Sequence, residues 1–209
     1  RRLELKDARA GNFSFHRDYV TPSYTTAKPG EAEALDLMMK IAASGSTSRL
    51  YKKLVVEEGV ASSAGGDFSG SGLDTGTLSI YAVANDGVPL SKVEESVDAV
   101  LADVAKNGVT EKELERAKNS YIADYIYESD NQATLARRYG WNLAVGRTIK
   151  DIESWPEAIS KVTVGDIKKV AAQYLDIKGS VTGYLMPDKS GVASRAAPEA
   201  PAPASSVVR

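Results

Sequence analysis

ASGSTSRLYKKLVVEEGVASSAGG, residues Ala43 to Gly66, is the segment around which the other elements of the chain can be arranged. Small residues at its start predict a loop, and Leu50 and Leu54 then recur at the spacing of one helical face. Gly59 stands where a helix ends in a left-handed residue, and Gly65-Gly66 is expected to interrupt the extended residues that follow. The segment therefore predicts a loop, an amphipathic helix, a glycine stop and a short strand.

The same segment resembles a recurrent segment of the pitrilysin/insulinase family of zinc peptidases. In that family a Gly/Ser-rich loop leads into Ser-Arg-Leu-aromatic, then a leucine, then an acidic residue and glycine before a strand. The corresponding residues are Ser48-Arg49-Leu50-Tyr51, Leu54 and Glu57-Glu58-Gly59-Val60-Ala61. Because the family carries this segment in the second half of each homologous repeat, the resemblance implies that this chain contains such a half.

Two other interpretations concern the loop and its arginine. A Ser/Gly loop before a helix can hold an anion on backbone N–H groups, but this loop lacks the Gly-Lys-Ser/Thr ending of a phosphate loop. Arg49 is interpreted first as a structural residue that pairs with an acidic residue or a helix end, since long charged side chains usually lie on solvated faces. A direct contact between Arg49 and a substrate is the second interpretation.

Composition excludes several classes of protein. The 209 residues are 43% apolar and 26% charged, as in an ordinary globular protein. A formal net charge of −2 provides no broad basic field for nucleic acid. No apolar run approaches the ~20 residues that span a bilayer. Because the first residue is Arg1 and not Met, we expect a fragment or a processed product, and the lack of a targeting segment says little about the parent protein.

Cysteine and histidine usage bears on catalysis. The chain has no cysteine, which excludes disulfides, thiolate metal sites and cysteine nucleophiles. Its one histidine, His16, cannot supply an H-x-x-E-H motif, whereas a catalytic zinc site normally uses three protein ligands. We therefore expect no metal and no catalytic residue in this chain, with His16 on a solvent or interface face.

Two segments alternate as half-buried strands do. Residues Asn12 to Val20 form the first, and residues Thr77 to Ala84 form the second. In the second, one set of residues should pack under helices, namely Leu78, Ile80, Ala82 and Ala84. The other set is expected to line a cavity or meet another domain, namely Thr77, Ser79, Tyr81 and Val83. Ser79, Tyr81 and Arg49 are therefore the candidate residues of a substrate chamber.

Helical periodicity fills most of the remaining sequence. Helices are predicted at Glu31 to Ala42, Pro89 to Lys106, from Thr110 onward, Asn131 to Val145, Thr148 to Ile159 and Ile167 to Leu175. Capping boxes are predicted at Ser91 with Glu94 and at Thr110 with Glu113. Pro156 is expected to restart a helix, and Arg137-Arg138 is interpreted as a solvated pair, less often an anion contact.

The ends of the chain are predicted to differ from its middle. Arg1 to Gly11 is expected to be irregular, as a strand end or linker, and Val181 to Met186 to be a final strand. Ser190 to Arg209 is rich in Ala, Pro and Ser and is predicted to be a disordered or extended tail. The order of elements predicts an α+β two-layer sandwich at residues 1–189, with a mixed, mainly antiparallel sheet and helices on one face.

The resemblance implies a division of labour between two similar halves around a closed chamber. In the family, the first half binds zinc through two histidines and a distal glutamate, and the motif glutamate activates water. The second half has the same fold without metal, closes the chamber and contacts the peptide. The resemblance therefore implies that this chain is the C-terminal half, that zinc belongs to an N-terminal half, and that the partners are that half and a peptide. Bacterial relatives are often periplasmic, which favours that compartment.

The chain departs from the family at one pair of residues. Some members carry an Arg and a Tyr in this half that hold the substrate backbone, and by an approximate register these fall near Ala82 to Ala84 and near Ala144-Val145. Neither residue is present there. The departure suggests the hypothesis that a homologous partner chain supplies the pair.

Two rival functions remain open. One is a non-proteolytic structural subunit with the same fold, comparable to a core protein. The other is a self-standing module that binds a peptide along the exposed face of the strand at residues 77–84. An H-x-x-E-H motif upstream of this chain would favour the peptidase.

Overall fold

A computed structural model describes residues 1–188, which fold into one sheet covered by helices. The strands are β1 (Arg2–Asp7), β2 (Ser14–Pro22), β3 (Ala61–Ser69), β4 (Thr75–Ala84) and β5 (Ser180–Pro187). The α-helices are α1 (Glu31–Ala42), α2 (Arg49–Tyr51), α3 (Leu90–Asn107), α4 (Glu111–Glu128), α5 (Gln132–Ala144), α6 (Ile149–Glu153), α7 (Trp155–Lys161) and α8 (Val164–Tyr174). A π-helix, Lys52–Glu57, continues α2, and a 3₁₀ turn, Ile177–Gly179, precedes β5.

The sheet has the strand order β1-β5-β2-β4-β3. The first pair, β1 with β5, is parallel, and the other three pairs are antiparallel. Since β2 lies at the centre, it pairs with β4 on one side and with β5 on the other. The sheet is mixed and mainly antiparallel, as the sequence predicted.

One face of the sheet forms the core with the helices. Alternate residues of β2 and β4 are buried there, including Phe15, Tyr19, Leu78 and Ile80. The apolar stripes of α1, α3 and α8 pack on this face because their residues recur every three or four positions. This arrangement confirms the α+β two-layer fold.

The segment at residues 43–66 folds as a loop, a helical turn, a glycine stop and a strand. The Ser48 hydroxyl caps α2 by accepting from the backbone N–H of Tyr51 at 3.3 Å. The helix then widens into a π-helix, in which the N–H of Glu58 donates to the carbonyl of Lys53 at 3.0 Å. Gly59 ends it with φ of 61°, a left-handed conformation that suits glycine. The predicted helix is therefore present, as one α-helical turn that a π-helix continues.

The strand after Gly59 was predicted too short. β3 continues through Gly65 and Gly66 to Ser69 instead of breaking at the glycines. A Cβ at Gly66 would lie 2.4 Å from the carbonyl oxygen of Ser79 on β4. The glycine thus permits a close approach within the sheet and does not end the strand.

The N-terminal segment and one helix cap also differ from the sequence analysis. Residues 2–7 form the edge strand β1, where the sequence predicted irregular structure. The capping box predicted at Ser91 is wrong: α3 begins after Pro89 without a side-chain cap, and Glu94 bonds to groups on the sheet. The box at Thr110 is confirmed, since its hydroxyl and the carboxylate of Glu113 accept from each other's backbone N–H groups.

Two predictions for the C-terminal region have different outcomes. α7 begins at Trp155, next to the predicted restart at Pro156. Arg138 is half-buried, because its guanidinium stacks 4.1 Å from the ring centre of Tyr125 and pairs with Glu128. The solvated interpretation is therefore wrong for Arg138.

The tail predicted at residues 190–209 lies outside the described residues, so the boundary at 189 stays a prediction. Among residues 1–188, no helix is both long and apolar enough to cross a bilayer.

Candidate functional site

The sheet face opposite the helices, here called the open face, carries the candidate residues Ser79 and Tyr81. Strand register places on this face the residues Ser14, His16, Asp18, Val20, Ser63, Gly65, Asp67, Ser69, Thr77, Ser79, Tyr81, Val83, Val181, Gly183 and Leu185. The intervening residues Leu78, Ile80 and Ala82 are buried under the helices. The alternation predicted for β4 is thus observed, and it brings residues of four strands together.

Ser79 lies between two carboxylates in one row of the open face. Its register partners are Asp18 on β2 and Asp67 on β3. The Ser79 hydroxyl donates to Oδ1 of Asp18 at 2.6 Å. Both aspartates are exposed, so this row presents acceptor oxygens and negative charge to whatever contacts the face.

Tyr81 and His16 form an aromatic platform in the next row. Their ring centres are 6.4 Å apart and their planes differ by 28°. The Tyr81 ring extends over Gly65, where an added Cβ would lie 2.9 Å from the hydroxyl oxygen. The platform is accessible, since Tyr81 is 42% exposed and His16 is exposed as the sequence predicted.

Apolar side chains surround these two rows. Val20 and Val181 are exposed on the open face. On β1, Leu3 and Leu5 stand beside Gly183 and Leu185 and are also exposed. Such a mixture of apolar, hydroxyl and carboxylate groups is typical of a surface that another chain covers.

Arg49 lies elsewhere, within the helix layer. Its guanidinium donates two bonds to Glu113, at 2.8 and 2.7 Å, and a third to Asp103 at 2.8 Å. The pKa of the Glu113 carboxyl is lowered to about 2, and the hydrogen bonds from Arg49 are the main cause. Within residues 1–188 the guanidinium bonds to these two acids, so the geometry matches the structural interpretation. The substrate contact stays a prediction.

A buried arginine that the sequence analysis did not single out supports the open face from below. Arg17 of β2 donates to Glu94 of α3 at 2.6 Å and to the hydroxyl of Thr182 on β5 at 2.9 Å, and it also pairs with Asp98. Its side chain is 1% exposed. The position between buried Phe15 and Tyr19 was the feature of the sequence that could have indicated this burial.

A second missed group lines a cavity of about 330 Å³ between α1, α4, α5 and α7. The Tyr24 hydroxyl donates to Asp36, and Trp155 Nε1 donates to that hydroxyl at 2.8 Å. Burial raises the pKa of the Asp36 carboxyl to about 7, an effect that the hydrogen bond from Tyr24 opposes. Arg147 stacks 4.4 Å from the ring centre of Tyr24.

The residues present do not fit a catalytic zinc site. Within residues 1–188, no three His, Asp or Glu side chains converge as metal ligands. The neighbours of His16 on the open face are Tyr81 and Gly183, neither of which is a zinc ligand of that kind. No step of a zinc mechanism is therefore assigned to this chain.

A family model described as the peptidase M16 inactive domain matches residues 15–121, slightly more than half of the chain. The chain belongs to the peptidase M16 family. The match is to the inactive domain of that family, which confirms the resemblance to the pitrilysin/insulinase peptidases.

Curated M16-like relatives are longer than this chain. The chain is 24% identical over 176 residues to the zinc protease PqqE of Helicobacter pylori, covering 82% of this chain and 39% of that protein. It is 29% identical over 145 residues to the uncharacterized zinc protease ML0855 of Mycobacterium leprae, covering 68% of this chain and 32% of that protein. The chain thus spans about two fifths or less of these relatives.

Solved structures support the M16 fold. A protease from Helicobacter pylori matches with a TM-score of 0.81 and 21% identity, over 89% of this chain and 44% of that one. More distant matches are the periplasmic protease PqqL of Escherichia coli (TM-score 0.65, 16% identity, 89% and 20% coverage) and complex III₂ of Candida albicans (0.72, 14%, 90% and 46%). At these identities the likeness concerns the fold alone.

Proposed function

We propose that this chain is the C-terminal half of an M16 zinc endopeptidase and closes a peptide chamber opposite a zinc-bearing N-terminal half. The observation that carries the proposal is the open face, where Ser79 and Tyr81 stand exposed or half-exposed among apolar and carboxylate side chains. The chain is not catalytic alone in this proposal. Zinc in the N-terminal half supplies the activated water.

In the proposed complex, the open face is the wall against which an extended peptide lies. Ser79 offers a hydroxyl, and Tyr81 offers an aromatic surface together with a hydroxyl. The wall is rigid because the buried Arg17–Glu94 pair joins β2 to α3 directly beneath it. A rigid wall loses less conformational freedom on binding, so more of the contact energy is available to position the substrate.

The proposal includes a homologous partner chain that supplies the missing Arg and Tyr. Ala82 and Ala84 are buried under helices, and Val83 between them is the residue on the open face. A valine cannot replace the donors of an arginine. A second polypeptide of the same fold can supply these donors from outside, and a complete assembly without a second chain near the zinc would contradict this part of the proposal.

We also propose a periplasmic location for the complete protein. Support comes from the bacterial relatives and from the fold shared with the periplasmic protease PqqL. Fractionation of the source cells, followed by detection of the protein in the periplasmic fraction, tests this proposal. Detection confined to the cytoplasmic fraction would contradict it.

A second candidate function is a structural subunit without proteolysis. It is supported by the fold shared with complex III₂ of Candida albicans. The two candidates differ in one measurable property. If this chain is half of a peptidase, a protein that contains both this chain and its N-terminal half hydrolyses peptides in the presence of zinc. If it is a structural subunit, that protein does not.

The test of the proposed function uses that joined protein with a substitution on the open face. We expect Tyr81→Ala to lower kcat/KM for peptide hydrolysis about tenfold, since aromatic contacts typically contribute about 1 kcal/mol or more. Tyr127→Ala is the matched control, because Tyr127 is 77% exposed on α4, outside the open face. Equal effects of the two substitutions would contradict a substrate role for this face, and zinc-loaded protein without hydrolysis would favour the structural subunit.

A further inference from the structure

The open-face positions that β2 to β5 contribute within residues 1–188 carry negative charge. Asp18 and Asp67 are the carboxylates at these positions, and none of them is a lysine or arginine. The nearest buried cation, Arg17, points to the other face and is paired with Glu94 and Asp98. The charge of the two aspartates is therefore available to an external group.

The two carboxylates flank a single position above Ser79. Because neighbouring strands lie ~4.8 Å apart, the backbones of Asp18 and Asp67 are separated by roughly 10 Å, with Ser79 between them. This separation is too wide for both carboxylates to share one metal ion at ligand distances of about 2.5 Å. An ammonium or guanidinium on a flexible side chain can instead pair with one carboxylate while the other attracts it at longer range.

Hydrogen bonding leaves much of this acceptor capacity unused. The Ser79 hydroxyl donates to Oδ1 of Asp18, whereas the side-chain carboxylate of Asp67 makes no hydrogen bond or ion pair within residues 1–188. Tyr81 stands two residues along β4 on the same face, so its backbone lies about 7 Å from that of Ser79. A long peptide side chain that extends over Ser79 can pack its apolar stem against this exposed ring.

We propose, on the basis of the function proposed above, that the open face selects peptide segments that place a lysine or arginine over Ser79. Asp18 and Asp67 attract the charge, and the Tyr81 ring packs against the side-chain stem. The neighbouring apolar residues contact the rest of the extended segment without regard to its charge. The preference is therefore local to one residue of the peptide.

The test measures binding of three fluorescent peptides of identical length and sequence, except for Lys, Gln or Glu at one central position. We expect the Lys peptide to bind about fivefold more tightly than the Gln peptide and the Glu peptide to bind most weakly, because exposed ion pairs are individually weak and two carboxylates act on one charge. The difference should shrink as salt concentration rises.

Substitution identifies the groups responsible. Asp18→Asn with Asp67→Asn should abolish the difference between the Lys and Glu peptides while changing the affinity for the Gln peptide less than twofold. Glu111→Gln, which removes an exposed carboxylate from α4 in the helix layer, should leave the preference unchanged.

Two results would overturn the inference in distinguishable ways. If all three peptides bind equally, the charge preference is wrong while peptide binding by the open face stands. If no peptide binds, both the preference and the peptide-contacting function proposed for this chain fail. Circular dichroism of the variants confirms that each one is folded.

Discussion

The guanidinium of Arg17 and the carboxylate of Glu94 meet at 2.6 Å beneath the sheet, where their side chains are 1% and 9% exposed. Tyr184 donates a further bond of 2.6 Å to the same carboxylate. The pair joins β2, the central strand, to α3. It therefore fixes the strand that carries His16 and Asp18 on its opposite face.

Loss of Arg17 should destabilise the fold strongly. Arg17→Met leaves a buried carboxylate without its main partner, and we expect the free energy of unfolding to fall by about 3 kcal/mol or more. Urea denaturation followed by circular dichroism measures the change. The double variant Arg17→Met with Glu94→Gln should be less destabilised than Arg17→Met alone, since no buried carboxylate is left unpaired and Asp98, which also loses Arg17, is 41% exposed. An equal or larger loss would contradict this account.

Asp36 should make stability depend on pH. Its folded pKa of about 7 exceeds the value of about 4 for an exposed carboxyl, so the native state holds a proton that the unfolded chain releases. The contribution of Asp36 to the free energy of unfolding should therefore be fully present below about pH 4 and should be lost as the pH rises toward about 7. Asp36→Asn should remove that fall. Urea unfolding between about pH 5 and 8 tests this, and parallel curves for the two proteins would contradict it.

Arg49 should affect stability more than peptide binding. Arg49→Gln removes the bonds to Glu113, and we expect a loss of about 1–3 kcal/mol near neutral pH. Because Glu113 has a lowered pKa of about 2, its contribution is present above its ordinary pKa and disappears as the pH falls toward about 2. The gap between wild type and variant should therefore narrow in acid. Reduced peptide affinity at unchanged stability would instead support the substrate contact.

Two adjacent glycines should respond differently to alanine. In Gly66→Ala the new Cβ meets the backbone carbonyl of Ser79 at 2.4 Å, which cannot move without distorting β4, and we expect a loss of about 2 kcal/mol or more. In Gly65→Ala the Cβ meets the Tyr81 hydroxyl at 2.9 Å, and the ring can shift, so the loss should be under about 1 kcal/mol. The two variants are compared by their urea concentrations at the midpoint of unfolding, and each variant is the control for the other. A larger loss for Gly65→Ala would be inconsistent with this geometry.

The sequence predicted burial well where side chains alternate along a strand. It predicted structure less well where a close contact between two backbone segments determines the conformation. The period of β4 correctly separated Leu78 and Ile80 from Ser79 and Tyr81, because burial follows strand alternation. Gly66 was misjudged, since glycine ends some strands and permits close packing in others, and only the position of Ser79 distinguishes the two cases.

Long-range pairing explains the other differences. β1 was not predicted because four of its six residues are charged and it has no buried face. Its strand conformation depends on parallel pairing with β5, nearly the whole described chain away. Ser91 was expected to cap α3, but Glu94 bonds to Arg17 instead. The open face could not be predicted without the register between four strands. Its two aspartates are far apart in sequence, and no local pattern links them.

The most direct test of the account is zinc-dependent peptide hydrolysis by this chain alone, by its zinc-bearing half alone, and by the two together. We predict no turnover by this chain at any zinc concentration, because its described residues offer no set of three ligands. We predict turnover when the two halves are combined, well above that of the zinc-bearing half alone. Zinc-dependent hydrolysis by this chain by itself would contradict the central claim.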